Sequence, residues 1–261
     1  MTSPGPIAFT IFGLDIRWYG ILIAAGMLIA VMISYHRAPI FDIKPDDAFD
    51  IALIMLPVGV IGARIYYVIF NWDYYAGDFL KIINIRNGGL AIHGGLIFGV
   101  LAVVLMCRRR KISFLNLLDL YFPTVALAQA IGRWGNFFNN EAHGTETDLP
   151  WAVIIDGKGY HPTFLYESIW CFLIFIVLLR LSRRRRFVGQ ITFLYGILYS
   201  IERFFVEGLR TDSLMIGPFR QAQIISVCIL IACLTLYAIL SRRQQNAAAG
   251  IDDTDSKDIG E

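Results

Sequence analysis

Residues 163–186 read TFLYESIWCFLIFIVLLRLSRRRR. The first seventeen carry a single charge, Glu167, and the last seven carry five arginines, Arg180 and Arg183 to Arg186. As a helix rising about 1.5 Å per residue, such a run covers most of the roughly 30 Å of bilayer hydrocarbon. Lys and Arg in short connections stay on the cytoplasmic side. This stretch therefore predicts a membrane-crossing helix, its direction, and one carboxylate near its outer end. Six further apolar stretches flank it, at 18–35, 48–70, 88–107, 114–131, 188–206 and 222–240. Arg108, Arg109, Arg110 and Lys111 follow the third stretch and Arg242 and Arg243 follow the last, which puts these sites on the same side as Arg183 to Arg186. Seven crossings then place the N-terminus outside and the C-terminus inside, with connections 71–87, 132–162 and 207–221 facing outward. The first stretch lacks a basic leader and a small-residue cleavage site, so it is read as a retained helix and not a signal peptide. The predicted fold class is all-α: a polytopic membrane protein, a seven-transmembrane helix bundle over 1–243 with a small extracytoplasmic subdomain at about 132–162. The small, acidic tail 244–261 is expected to be disordered and cytoplasmic.

The composition of the 261-residue chain agrees. It is 56% hydrophobic and 17% charged, with mean hydropathy +0.58 and formal net charge +2. A soluble domain carries about 25% charged residues, so a water-soluble fold is excluded, and so is disorder of the whole chain. With so little net charge, no basic groove for nucleic acid is expected. Cys107, Cys171, Cys228 and Cys233 form no CxxC pair, and three of them fall inside apolar runs. They predict neither a disulfide framework nor a metal site and are expected to be inert core residues. No internal repeat is present, which weighs against a transporter built from duplicated halves.

An ionisable side chain in a spanning helix costs about 2.5–3.5 kcal/mol on insertion scales. The stretches nevertheless hold or border Tyr19, Arg64, His93, Asp119, Gln129, Arg133, Glu167, Glu202, Arg203 and Glu207. With the topology above, all but Asp119 fall toward the outer third of the membrane: Arg64 in the outer third of the second segment, His93 about one and a half turns into the third, Arg133 at the outward end of the fourth, Glu167 in the first turn of the fifth. A channel or transporter should carry polar residues through the full depth, so the pattern predicts a chamber open to the outer leaflet. The plainer reading is interfacial anchoring by snorkelling side chains, which suits Arg and Tyr near helix ends better than the shorter His93 and Glu167.

Three motifs carry the chemistry. In Gly132-Arg133-Trp134-Gly135-Asn136-Phe137-Phe138-Asn139-Asn140-Glu141-Ala142-His143-Gly144, glycines let the backbone leave the helix and fold back, while amides and a guanidinium fork suited to a phosphate diester share one space. Alternatively the run is a polar turn ending a helix. In Tyr199-x-x-Glu202-Arg203-x-x-x-Glu207-x-x-Arg210, positions 199, 203, 207 and 210 share a helix face, and Arg203 with Glu207 also suits a simple neutralised pair. In Ile92-His93-Gly94-Gly95 the glycines allow close approach of a helix or lipid chain, and His93 is either a reactive group or a hydrogen-bonded structural one. Further on, His161-Pro162-Thr163-x-x-Tyr166-Glu167 opens the fifth segment with Pro at the helix entry, where Glu167 would also complement the helix N-terminus. The nucleophile elbow and paired aspartates of intramembrane proteases do not appear.

At these residues the chain resembles the prolipoprotein diacylglyceryl transferase family, from Arg17-Trp18-Tyr19-Gly20 through His93-Gly94-Gly95, the run 132–144 and His161 to Glu167, to Arg203-Phe204-x-x-Glu207-x-x-Arg210. Two positions depart from the family pattern and bear on substrate fit: Phe164 stands where Gln is common, and Ala142-His143 replaces a Leu/Ala-Tyr/Trp pair. The resemblance implies a bacterial inner-membrane enzyme, expected to be monomeric. It would move the diacylglyceryl group of phosphatidylglycerol to the lipobox cysteine behind a preprolipoprotein signal peptide, without metal or other cofactor. It further implies Arg203, His93 and Tyr19 as catalytic, and Arg133, Asn136, Glu141, Gly144, Glu207 and Arg210 as substrate-binding. Arg133 would hold the lipid phosphate. Either His93 takes the thiol proton or Arg203 favours the thiolate electrostatically.

Overall fold

The computed structural model describes residues 1–85 and 88–255, with side chains placed as far as residue 247. In chain order the elements are β1 (Ile7–Ile11), β2 (Leu14–Arg17), α1 (Trp18–Arg37), α2 (Pro45–Phe70), α3 (Trp72–Tyr75), α4 (Phe79–Ile83), α5 (Ile92–Arg110), α6 (Phe114–Asn139), β3 (Val153–Ile155), β4 (Lys158–Tyr160), α7 (Thr163–Leu181), α8 (Gln190–Leu209), β5 (Met215–Ile216), β6 (Phe219–Arg220) and α9 (Gln221–Asp255). Six helices among the described residues are long and apolar enough to cross a membrane: Trp18–Phe41, Pro45–Phe70, Ile92–Arg110, Phe114–Asn139, Thr163–Arg184 and Gln221–Ala247. The chain is thus a mostly helical, multi-pass membrane protein. The remaining expected stretch, 188–206, is also helical, but α8 holds Glu202, Arg203 and Glu207 and is not among the six. Of the tail expected to be disordered, the part to Asp255 continues α9 as helix and 256–261 lies outside the described residues.

Contacts divide the chain into two compact units, one of Met1–Ile33 with Leu118–Glu261, the other of Ser34–Leu117. In the second unit α2 and α5 lie along a seam of small residues. A Cβ at Gly62 would run into Phe98, and one at Gly94 into the Gly62 carbonyl and Tyr66, while a Cβ on Gly59 or Gly95 would meet the other's carbonyl oxygen at 3.4 Å. Lipid supplies no hydrophobic force between helices, so close backbone approach does the packing. Arg110 at the end of α5 ties the seam to α2 through Asp47 and, at 2.7 Å, Asp50.

In the first unit the apolar centre is formed by Ala126, Ile174, Leu178, Ile191 and Tyr195, with Phe122 stacked on Tyr195 at 4.5 Å. Asp119, fully buried, caps α8: its carboxylate accepts from Gly189 N at 2.7 Å, Thr192 N at 2.8 Å, Thr192 Oγ1 at 2.6 Å and Arg185 at 3.2 Å. Three antiparallel hairpins complete the unit, β1 with β2, β3 with β4 and β5 with β6. The first and third run directly into α1 and α9.

Two boundaries differ from expectation. The fourth stretch does not end at 131: α6 continues through Gly132 and Gly135 to Asn139, so the run 132–144 is first the last two turns of a helix and only then a turn, with Asn140 and Ala142 at positive φ of 53° and 58°. Likewise α5 begins at Ile92, which places His93 in its first turn and not one and a half turns in. The cysteines also differ: Cys107 and Cys171 are buried core residues, but Cys228 is exposed on α9.

Candidate active site

Each of three helices of the first unit contributes a charged residue to one cluster. Arg133 lies on α6 six residues before Asn139, about 9 Å down the helix. Glu167 lies one turn into α7, and Glu202, Arg203 and Glu207 lie on α8. Glu167, only 1% exposed, is shared between the guanidiniums. Its Oε1 accepts from Arg203 Nη1 at 2.9 Å, and its Oε2 lies 3.1 Å from Arg133 Nη1. Arg203 Nη2 reaches Glu207 Oε2 at 2.6 Å. Both Glu167 oxygens thus face neighbouring helices, so the carboxylate does not serve the N-terminus of its own helix. The two arginines are held differently: Arg203 makes an aligned hydrogen bond to Glu167, whereas the Arg133 contact is a charge contact in which Oε2 accepts no hydrogen bond. Of the two, Arg133 is the freer to turn toward another anion.

Beside the cluster, Trp134 Nε1 donates to Ser168 Oγ at 3.2 Å, and Ser168 donates to the Ala130 carbonyl at 2.8 Å. These residues line an apolar groove of about 260 Å³ with Leu22, Leu127, Ile131 and Phe172. Tyr195 donates to Gln129 at 2.8 Å and stacks on Tyr199.

Toward the C-terminal end of α6, the ring of Tyr19 lies where a Cβ on Gly135 would be, so only glycine fits at 135. Glu141 accepts from Asn136 Nδ2 at 3.0 Å and Asn139 Nδ2 at 3.2 Å, closing the helix end. Gly144 bridges to Arg210 in antiparallel fashion and donates its N–H to His161 at 2.9 Å, and a Cβ there would press on His161 and Thr163. Arg210 grips Asp212 through Nε at 2.9 Å and Nη2 at 2.7 Å. These hydrogen bonds hold the Asp212 carboxyl below its usual range. At Arg210 burial opposes the charge, but Asp212 outweighs it and raises the guanidinium. Arg220 donates to the Glu207 carbonyl, the Arg210 carbonyl at 2.7 Å and Ser213 Oγ at 3.2 Å, pinning the turn after α8. Arg220 is not among the residues the sequence pointed to, although a basic residue in the connection 207–221 was the available signal.

A family model described as prolipoprotein diacylglyceryl transferase matches residues 6–239. Among curated relatives, a phosphatidylglycerol–prolipoprotein diacylglyceryl transferase of Clostridioides difficile (strain 630) is 54% identical over 240 residues, covering 92% of this chain and 97% of the relative. Proteins of the same name from Finegoldia magna and Bacillus cereus (strain Q1) are 52% and 45% identical, covering 87% and 93% of this chain and 92% and 93% of their own lengths. The chain belongs to the prolipoprotein diacylglyceryl transferase family.

For a diacylglyceryl transferase, the residues singled out from sequence fall into three groups. Arg133 and Arg203 come together on Glu167, and Glu207 joins through Arg203. Tyr19, Asn136, Glu141, Gly144 and Arg210 surround the C-terminal end of α6 and the turns beyond it, held by the contacts given above. His93 belongs to the Ser34–Leu117 unit, where it is exposed with its ring 6.2 Å from that of Tyr66. Arg64 lies in the same unit, 7% exposed, and its guanidinium is engaged by backbone. Nε donates to Ile82 O at 2.8 Å, Nη1 to Gly88 O at 3.0 Å and Gly89 O at 2.8 Å, and Nη2 to Lys81 O at 2.6 Å and Asn84 O at 2.8 Å. Arg64 therefore organises a loop of this transferase-family chain and is not a free cation.

Proposed function

We infer that this chain transfers the diacylglyceryl group of phosphatidylglycerol to the lipobox cysteine thiol of a membrane-held preprolipoprotein, yielding a thioether-linked diacylglyceryl protein and glycerol phosphate. The observation that carries this reading is the pair of guanidiniums, Arg133 and Arg203, brought from two helices to one buried carboxylate within an apolar fold. The thiol, with an unperturbed pKa near 8.5, must lose its proton. Its sulfur bonds to the glycerol carbon as the carbon–oxygen bond to phosphate breaks and a second negative charge grows on the phosphate. Fixed cations in a dry site stabilise such charge far better than water does. Arg133, the less tightly held, turns from Glu167 to the lipid phosphate, and the thiolate arises either because His93 takes the thiol proton or because Arg203 favours the thiolate electrostatically. Glu207 holds Arg203 in place. Tyr19, Asn136, Glu141, Gly144 and Arg210 shape the outer wall, and the groove at Trp134 and Ser168 suits an acyl chain.

In this reading α8 is the seventh crossing, its charges tolerated because they face the substrates. The chain sits in the bacterial inner membrane as a monomer, N-terminus outside and C-terminus inside, with the β3–β4 hairpin extracytoplasmic. The test is to give purified protein phosphatidylglycerol and a lipobox peptide and to weigh the product. A gain of one diacylglyceryl group on the cysteine is expected, and an unmodified peptide from folded protein overturns the reading.

A further inference from the structure

Glu202 takes no part in the ion pairs of the cluster. It is 4% exposed, and among the described residues neither of its carboxyl oxygens has a hydrogen bond or an ion pair. It is nonetheless one of the cluster: Arg133 from α6, Glu167 and Cys171 from α7, and Tyr199 and Arg203 from its own helix act on it electrostatically. Arg203 is engaged by Glu167 and Glu207, and Arg133 lies against Glu167 and not against Glu202. A carboxylate this deep without a partner is costly, and beside the charge of Glu167 more so. A neutral carboxylic acid removes that cost and leaves an O–H donor in a site built to receive an anion.

Building on the transfer reaction above, we propose that Glu202 carries a proton when the site is empty of substrate, donates it as a hydrogen bond to the lipid phosphate, and hands it over as the phosphate leaves. The bookkeeping closes. Sulfur loses its proton to the base and forms the bond to glycerol carbon. The carbon–oxygen electron pair stays on the phosphate oxygen, which takes the Glu202 proton. The base then releases the thiol proton to water and Glu202 takes one back from water, so that each turnover in sum moves the thiol proton to glycerol phosphate.

Glu202→Gln separates the two duties, since an amide still donates a hydrogen bond but has no proton to release. In the full-length protein in maltoside micelles, which contain no ester carbonyls, the infrared spectrum at pH 7 should show a protonated carboxylic acid band that Glu202→Gln removes and Glu202→Asp shifts in frequency. In the transfer assay Glu202→Gln should keep KM for phosphatidylglycerol within about threefold while kcat falls about a hundredfold or more, the usual scale of a lost proton donor. Glu202→Asp should recover part of kcat. A wild-type spectrum without that band overturns the proposal, as does a Glu202→Gln enzyme with near-normal kcat. Should Glu202→Gln not fold, Glu202→Asp decides alone: loss of the wild-type band frequency with a shifted acid band supports the proposal, and an unchanged spectrum overturns it. The spectrum needs no turnover, so failure of the transfer reading itself would show separately, as absence of product with the wild-type protein.

Discussion

Arg203 of α8 and Glu167 of α7 are joined at 2.9 Å, and the same carboxylate meets Arg133 of α6 on its other oxygen. Glu167 is therefore the post on which both cations of the cluster are set. Glu167→Gln removes the charge from beneath two partly buried guanidiniums, and breaking a buried pair from one side costs about 3–5 kcal/mol. The variant should unfold at clearly lower temperature in micelles and lose transfer. A melting temperature equal to wild type would show that Arg133 and Arg203 are held by something else.

Arg133→Ala should abolish transfer with the fold kept, because the Arg133 contact to Glu167 is a charge contact and not an aligned hydrogen bond. Arg133→Lys should recover little, since a point charge does not reproduce a planar fork of donors on a phosphate. Circular dichroism and the mass-gain assay read the two properties apart. Near-normal turnover by Arg133→Ala would reduce Arg133 to an anchor.

His93→Ala tests the base. Exposed in the first turn of α5, the side chain can be removed without opening a core. If His93 takes the thiol proton, kcat should drop by roughly 10²–10⁴. A loss of less than about tenfold would leave thiolate formation to Arg203.

The Arg210 and Asp212 pair makes a pH-dependent contribution of known sign. Asp212 is held below the usual range of about 3.9 for Asp. A group whose folded pKa is lowered stabilises the fold at pH above its unfolded value and loses that contribution as pH falls through the folded one. Asp212 is half exposed, so the effect is small, under about 1 kcal/mol. The stability difference between wild type and Asp212→Asn should be constant from pH 5 upward and shrink below pH 4. A difference that grows on acidification would contradict the pairing.

The crossing segments were legible because length and apolarity are properties of a continuous stretch. The ends of α6 and α5 were not. Gly132 and Gly135 read as places to leave a helix, yet glycine is common inside membrane helices, and Gly135 is there to seat Tyr19. The residues of the cluster were legible as charges out of place, but their partners were not. Glu167 meets Arg133 and Arg203 from positions 34 and 36 residues away, and nothing in local spacing tells such a pairing from a helix-end carboxylate. Arg64 was least legible of all, since its acceptors are main-chain carbonyls, which every sequence has.

Those carbonyls bear on how the chain is made. Arg64 lies on α2, but all five of its acceptors lie between residues 81 and 89, which leave the ribosome after α2 is complete. Until they arrive, the guanidinium bears its insertion cost without them, at most about 2.5–3.5 kcal/mol, the value for an arginine at a helix centre. The second crossing and the loop behind it must therefore enter the membrane as one piece, and a nascent chain truncated just after Phe70 should insert less completely than one extended past Gly89.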